Sequence, residues 1–161
     1  VQPSEIRAVV RKYLGLIDEA DGAVVEDDTL APVLDHLAFA QQFVRFTFDP
    51  TDYPDSPRRD QAAFRKSISR RFPTYGYYNL PESVTKEIAE SKCVVADAID
   101  DVLDIGNDLL DVEWRWTNTS EADALWHFQN SYSSHWQGHL RGLQFYILSR
   151  YWEAACDRSG R

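Results

Sequence analysis

An all-α fold is what this sequence predicts, a single bundle of about five helices spanning residues 1–161 with a long C-terminal helix, and three observations carry it. Apolar residues recur at three- and four-residue spacing in five segments, the period of amphipathic helices. Polar stretches rich in Pro, Gly, Asp and Ser separate those segments. No alternation of strand and helix patterns, internal repeat or low-complexity tract intervenes, so the apolar stripes must bury against one another.

Ser4 stands where an N-cap belongs, ahead of Ile6, Val9, Val10, Tyr13, Leu14 and Ile17, which predicts a first helix from Glu5 to about Ala20. The acidic stretch from Asp18 to Asp28 reads as a connecting loop, with Asp28 or Thr29 capping the second helix. That helix is expected from Leu30 to about Phe46, with Val33, Leu34, Leu37, Phe43 and Val44 inward, Pro32 in the first turn and His36 on the surface. The prolines and aspartates of DPTDYPDSP, Asp49 to Pro57, make a loop.

From Arg58 to Arg71, basic residues surround the line Phe64, Ile68 and Phe72, the pattern of a surface helix that Pro73 ends. The aromatic loop FPTYGYYN, Phe72 to Asn79, either plugs one end of the core or offers Tyr77 and Tyr78 to a ligand. Ser83 to Trp116 reads as one long or broken helix. Val95, Ile99, Val102 and Leu109 lie on one side of it, and Asp97, Asp101, Asp104, Asp108 and Asp111 on the other. Gly106 falls on the apolar side, where a missing side chain admits another helix closely or weakens the turn. Thr119 or Ser120 is placed to cap the final helix.

That final helix, Glu121 to Cys156, carries the heaviest apolar stripe: Leu125, Phe128, Tyr132, Trp136, Leu140, Leu143, Tyr146 and Ile147. It is expected to be the central packing element. His135 and His139, in HWQGH, share its buried face, being four residues and therefore about 40° apart. His127 is expected about 80° away from His135, at the rim.

The net charge of −9 opposes binding to phosphate backbones, so nucleic acid is not an expected partner. No apolar run approaches the roughly 18–20 residues of a membrane span, and charged residues interrupt the first stretch where a signal peptide would have its apolar centre. Two cysteines, Cys93 and Cys156, with neither CxxC spacing nor a dense pattern, suit reduced thiols in the cytoplasm. The chain opens on Val1 and contains no methionine, which leaves room for a processed N-terminal segment.

Three stretches, FPTYGYYN at Phe72 to Asn79, VVADAIDDVLDI at Val94 to Ile105 and ALWHFQNSYSSHWQGHLRGL at Ala124 to Leu143, resemble the uncharacterised bacterial domain-of-unknown-function family 5063 in content, order and separation. The first 60 residues match it only as a pair of amphipathic helices. That family usually has glycine directly after the HW pair, whereas here Gln137 stands there and Gly138 comes one place later, with the histidine spacing intact. The resemblance implies an all-helical fold, draws attention to Asp97, Asp101, His135, Trp136 and His139, and implies no activity.

Two histidines on an apolar stripe need partners, because an unmade buried hydrogen bond costs about 1–3 kcal/mol. One reading is a hydrogen-bonded structural pair. The other is a site for a divalent ion, Zn, Mn or Mg, held by His135, His139, Asp97 and Asp101, since residues at i and i+4 on neighbouring helices present four ligands. HxxxH lacks the glutamate of the HExxH proteases. Trp136, Tyr77 and Tyr78 are the candidate binding residues.

The aspartate series reads as a solvated face or as a partner for the basic helix: residues 58–71 carry a net +5 and residues 97–111 a net −6. By analogy of architecture, helical pyrophosphohydrolases of the MazG type bind magnesium through acidic residues on paired helices. Glu87, Glu90, Asp97, Asp100, Asp101 and Asp104 supply an acidic set here, without the usual ExxE and ExxD order. The function expected is a binding, regulatory or assembly module with a protein partner or a second copy of itself; the alternative is a metal-dependent enzyme with its site between the last two helices.

Overall fold

Helix α1, Pro3–Asp18, lays Ile6, Val9, Val10, Tyr13, Leu14 and Ile17 against the core, and α2, Asp27–Gln41, folds back beside it. The computed structural model describes residues 1–18 and 22–158, so part of the expected acidic connection and the expected end of the first helix at Ala20 lie outside the described residues. Helix α2 starts earlier than Leu30 because Glu26, in extended conformation, precedes Asp27 and Asp28, whose charges suit a helix N-terminus. It also stops before Phe46. Phe43 is consequently not a core residue; it is 39% exposed and rests on Phe39 with ring centroids 4.7 Å apart.

Residues 49–57 form a loop, and Asp60 then caps α3, Gln61–Arg71, by accepting a hydrogen bond from the Ala63 amide. Phe64 and Ile68 are its buried residues together with Arg71.

The stretch expected as helix from Ser83 is a β-hairpin instead. Strand β1, Tyr77–Pro81, pairs antiparallel with β2, Cys93–Asp97, with Tyr77 opposite Asp97 and Asn79 opposite Val95. Tyrosines on one strand and adjacent valines on the other favour the pleated conformation, and the Asp97 side chain ends it by capping α4 at the Ile99 amide. Val95 is 71% exposed and takes no part in the core. Glu87 and Glu90 lie in the hairpin loop, so the acidic set imagined on paired helices does not form.

Helix α4, Ala98–Asn118, is the hub. It packs against α1, α3, α5 and α6, a role expected of the final helix. Gly106 permits this: a Cβ there would lie 2.6 Å from Ile17 Cδ1 and 3.4 Å from Phe64 Cζ, so α1 and α3 close on α4 where it has no side chain. The buried Tyr13 hydroxyl donates to the Val102 carbonyl at 2.9 Å, tying α1 to the same helix.

Ser120 caps the last helical segment at the Asp123 amide. The chain then runs through α5, Glu121–Ser131, a single π-helical turn, Tyr132–Trp136, and α6, Gln137–Arg158. The fold is therefore predominantly helical, as expected, with one small two-stranded sheet. Among the described residues no helix is long and apolar enough to cross a membrane.

Gly106→Val is expected to overpack this contact and lower unfolding free energy by about 1–3 kcal/mol, read as a shift in the urea midpoint. An unchanged midpoint would contradict the close approach of Ile17.

Candidate metal centre

Apart from the exposed Asp100, the aspartates of α4 are covered at least in part. Asp101 is 6% exposed, and Asp104, Asp108 and Asp111 are partly covered by α5 and α6, which run antiparallel to α4. Facing them in reverse order are His139, His135 and His127. His139 Nδ1 lies 2.8 Å from Asp101 Oδ1, and its Nε2 lies 3.4 Å from Asp104 Oδ2. His135 Nδ1 lies 2.7 Å from Asp108 Oδ2, and His127 Nδ1 is 3.5 Å from Asp111.

The π turn sets this register. Eight residues of regular α-helix would turn His135 about 80° from His127; one extra residue in a π turn removes about 100°, leaving them roughly 20° apart and both towards α4. The local cause is a cluster of serines. Ser131, Ser133 and Ser134 donate to the carbonyls of His127, Gln129 and Asn130, four residues back, competing with the backbone ladder. Trp136 Nε1 donates to Ser131 Oγ at 3.0 Å, a five-residue reach that matches the wide turn. Trp136 is itself fully buried, between Phe128 and Tyr132, so it is a core residue and not a binding surface.

Tyr78 reaches the site from β1. Its hydroxyl donates to Asp101 Oδ2 at 2.7 Å, and burial, reinforced by that carboxylate, pushes its pKa far up, so it stays a donor. Gly142 makes room for it, since a Cβ on that residue would collide with the Tyr78 hydroxyl. Tyr77, by contrast, is 77% exposed; both tyrosines line a cavity of about 380 Å³ between β1 and α6.

Asp97 is not brought to the histidines. It caps α4 and pairs with Arg65 at 2.6 Å, while Arg65 also meets Asp100. This is where the basic helix and the acidic series touch, within one chain. At the other end, Arg115 holds Asp111 at 3.0 Å and Asp123 at 3.1 Å. Between those arginines, the ion-pair partners of Asp101, Asp104 and Asp108 among the described residues are histidines alone.

An ionised carboxylate only accepts, so Asp101 and Asp108 each fix a proton on the Nδ1 they face. In the neutral tautomer His139 Nε2 then presents a lone pair to the Asp104 carboxylate at 3.4 Å. A proton on Nε2 or a metal ion between the two groups would turn that approach of two acceptors into an attraction. The ligand atoms of Asp104, His135 and His139 lie within 4.8 Å of one another, and the Nδ1 contacts to Asp108 and Asp101 are of the kind that, in metal sites, orient imidazole ligands. Asp104, expected only as a member of the acidic set and not beside the histidines, lies where Asp97 was expected.

The hydrogen bond that His139 donates to Asp101 raises the His139 pKa against the opposing effect of burial. Burial lowers that of His127, helped by Arg115. Burial also raises Asp108, with His135 pulling the other way. Comparison with protein-family models, curated proteins and solved structures finds no match to the chain.

In metal-free protein, NMR titration is expected to place the His139 midpoint above the ordinary value of about 6.5 and the His127 midpoint below it. Because the folded His139 pKa is raised, its pairing contributes fully to stability below pH ~6.5 and is lost as pH rises through the folded value. Asp101→Asn is expected to lower the His139 midpoint; an unchanged midpoint would contradict the pairing.

Proposed function

We propose that this protein is a metal-binding helical module in which His135, His139 and Asp104 hold one divalent transition ion and Asp101 and Asp108 orient the imidazoles. The observation that carries the reading is the approach of His139 Nε2 to Asp104 beside His135, in a stretch of α4 with which no arginine among the described residues forms an ion pair. Two imidazoles and one carboxylate suit zinc, manganese or iron better than magnesium, which prefers an all-oxygen shell. The ion would join α4 to the π turn and α6, making the packing of the last helix dependent on metal. That is the property of a regulatory or assembly module.

Three protein ligands leave coordination room for water or a small ligand, and the partial exposure of His135 keeps that side accessible. This favours, as the second reading, a metal-dependent hydrolase working at the same ion. In either case we place the chain in the bacterial cytoplasm, among helical proteins like those of family 5063; both of its thiols are exposed, which suits a reducing compartment.

Titration with zinc or manganese is expected to show one equivalent bound, with thermal stabilisation of about 2.7 kcal/mol at 100 times Kd. Affinity should fall as pH drops through the His139 pKa, because the proton and the ion compete for Nε2. His135→Ala and Asp104→Ala are expected to abolish binding, Asp101→Asn to weaken it about 10- to 100-fold, and Asp97→Ala to leave it intact. No bound ion and no thermal shift with either metal would reject the reading.

A further inference from the structure

Beside the aspartate face of α4, Asn107, Leu110 and Trp114 recur at three and four residues and form one wall of a cavity of about 420 Å³. The chain from Ser56 to Arg59 and the first residue of α3, Gln61, close its other side. Such a volume lies in the range of small-molecule sites.

Three features give it a chemical preference. Arg58 and Arg59 meet no carboxylate within ion-pair distance among the described residues, although the chain carries a net charge of −9. Arg59 is held over the Phe64 ring, 5.7 Å from its centroid, which limits its wandering. The one carboxylate on the wall, Asp111, is already paired with Arg115 at 3.0 Å, so the two arginines set the local sign.

The polar floor is a reciprocal amide pair. Gln61 Nε2 donates to Asn107 Oδ1 at 3.2 Å, and Asn107 Nδ2 donates to Gln61 Oε1 at 2.9 Å. Each amide nitrogen keeps a second N–H for a ligand. The half-buried Trp114 also lines the cavity and brings an aromatic surface to it.

We infer that this cavity binds a small planar anion, a ring bearing one carboxylate or phosphate. The ring lies on Trp114, the acid group takes the guanidinium forks of Arg58 and Arg59, and the amide pair donates to ring substituents. None of the three proposed metal ligands lines the cavity, so anion binding here stands or falls independently of the metal.

The test is calorimetric and fluorescence titration of the full chain with benzoate and with adenosine monophosphate, each against its neutral counterpart, benzyl alcohol or adenosine, in low-salt buffer. At least one anion is expected to saturate below about 1 mM, to bind roughly tenfold tighter than its neutral counterpart, and to weaken about tenfold in the Arg58→Gln/Arg59→Gln double variant. Trp114→Phe should remove the fluorescence change. Response to benzoate alone assigns the site to carboxylates, and response to the nucleotide alone to phosphates. No saturation with either anion, equal affinity for the neutral counterpart, or indifference to the double substitution in a variant with wild-type circular dichroism and melting would overturn the inference.

Discussion

The carboxylate of Asp101, buried against His139 and Tyr78, is the constraint on which the arrangement of the last three helices depends. Removing one partner of a buried ion pair typically costs about 3–5 kcal/mol, so a carboxylate can occupy this position only if the groups facing it are held in register. The same helix that carries Asp101 also carries Val102, Ile105, Leu109 and Val112, all buried, and it has neighbours on every side. Apolar contact with α1 and α3 drives α4 into the centre; its acidic side then has to find partners in α5 and α6. Arginines answer at the two ends, through Arg65 and Arg115, and histidines answer in the middle.

Much of the fold was legible in residue spacing. The stripes of α1 and α2, the Asp49 to Pro57 loop, the stop at Pro73, the Ser120 cap and the close approach at Gly106 all come from local rules and recur in the structure. The hairpin was hidden because Val94 and Val95 fit an apolar helical stripe as readily as a strand, and the spacing of Asp97 and Asp101 carried the helix reading through a residue that is a cap. Strand pairing with Tyr77 to Pro81 is a tertiary fact that local propensity does not contain.

The candidate site was half legible. His139 meets Asp101, but His135 meets Asp108 instead, Asp97 is drawn away by Arg65, and Asp104 is the carboxylate that lies beside both histidines. The aspartate series looked solvated because a helical wheel shows one helix at a time; covering that face required knowing that α4 is central. His127 stays at the edge of the site, part-exposed and outside the group of possible ligands, as expected, but its angle to His135 differs from that of a regular helix. The signal for that change was present in SYSSHW, where three serines precede a tryptophan whose indole reaches five residues back to the first of them.

A structural role and a metal-binding role for the two histidines are not opposed in this geometry. Each Nδ1 is occupied by a carboxylate, which is what a structural pair requires, and the same bond leaves Nε2 for an ion. What separates the roles is the occupant of the space between Nε2 of His139 and Asp104. Anomalous diffraction at the zinc edge, from crystals grown with zinc, tests that directly. A bound ion would give a single peak about 2.0–2.2 Å from an imidazole nitrogen of each of His135 and His139 and from a carboxylate oxygen of Asp104. Absence of a peak there, with strong density for both side chains, or a peak at the Asp97 end of α4, would contradict the metal-binding role.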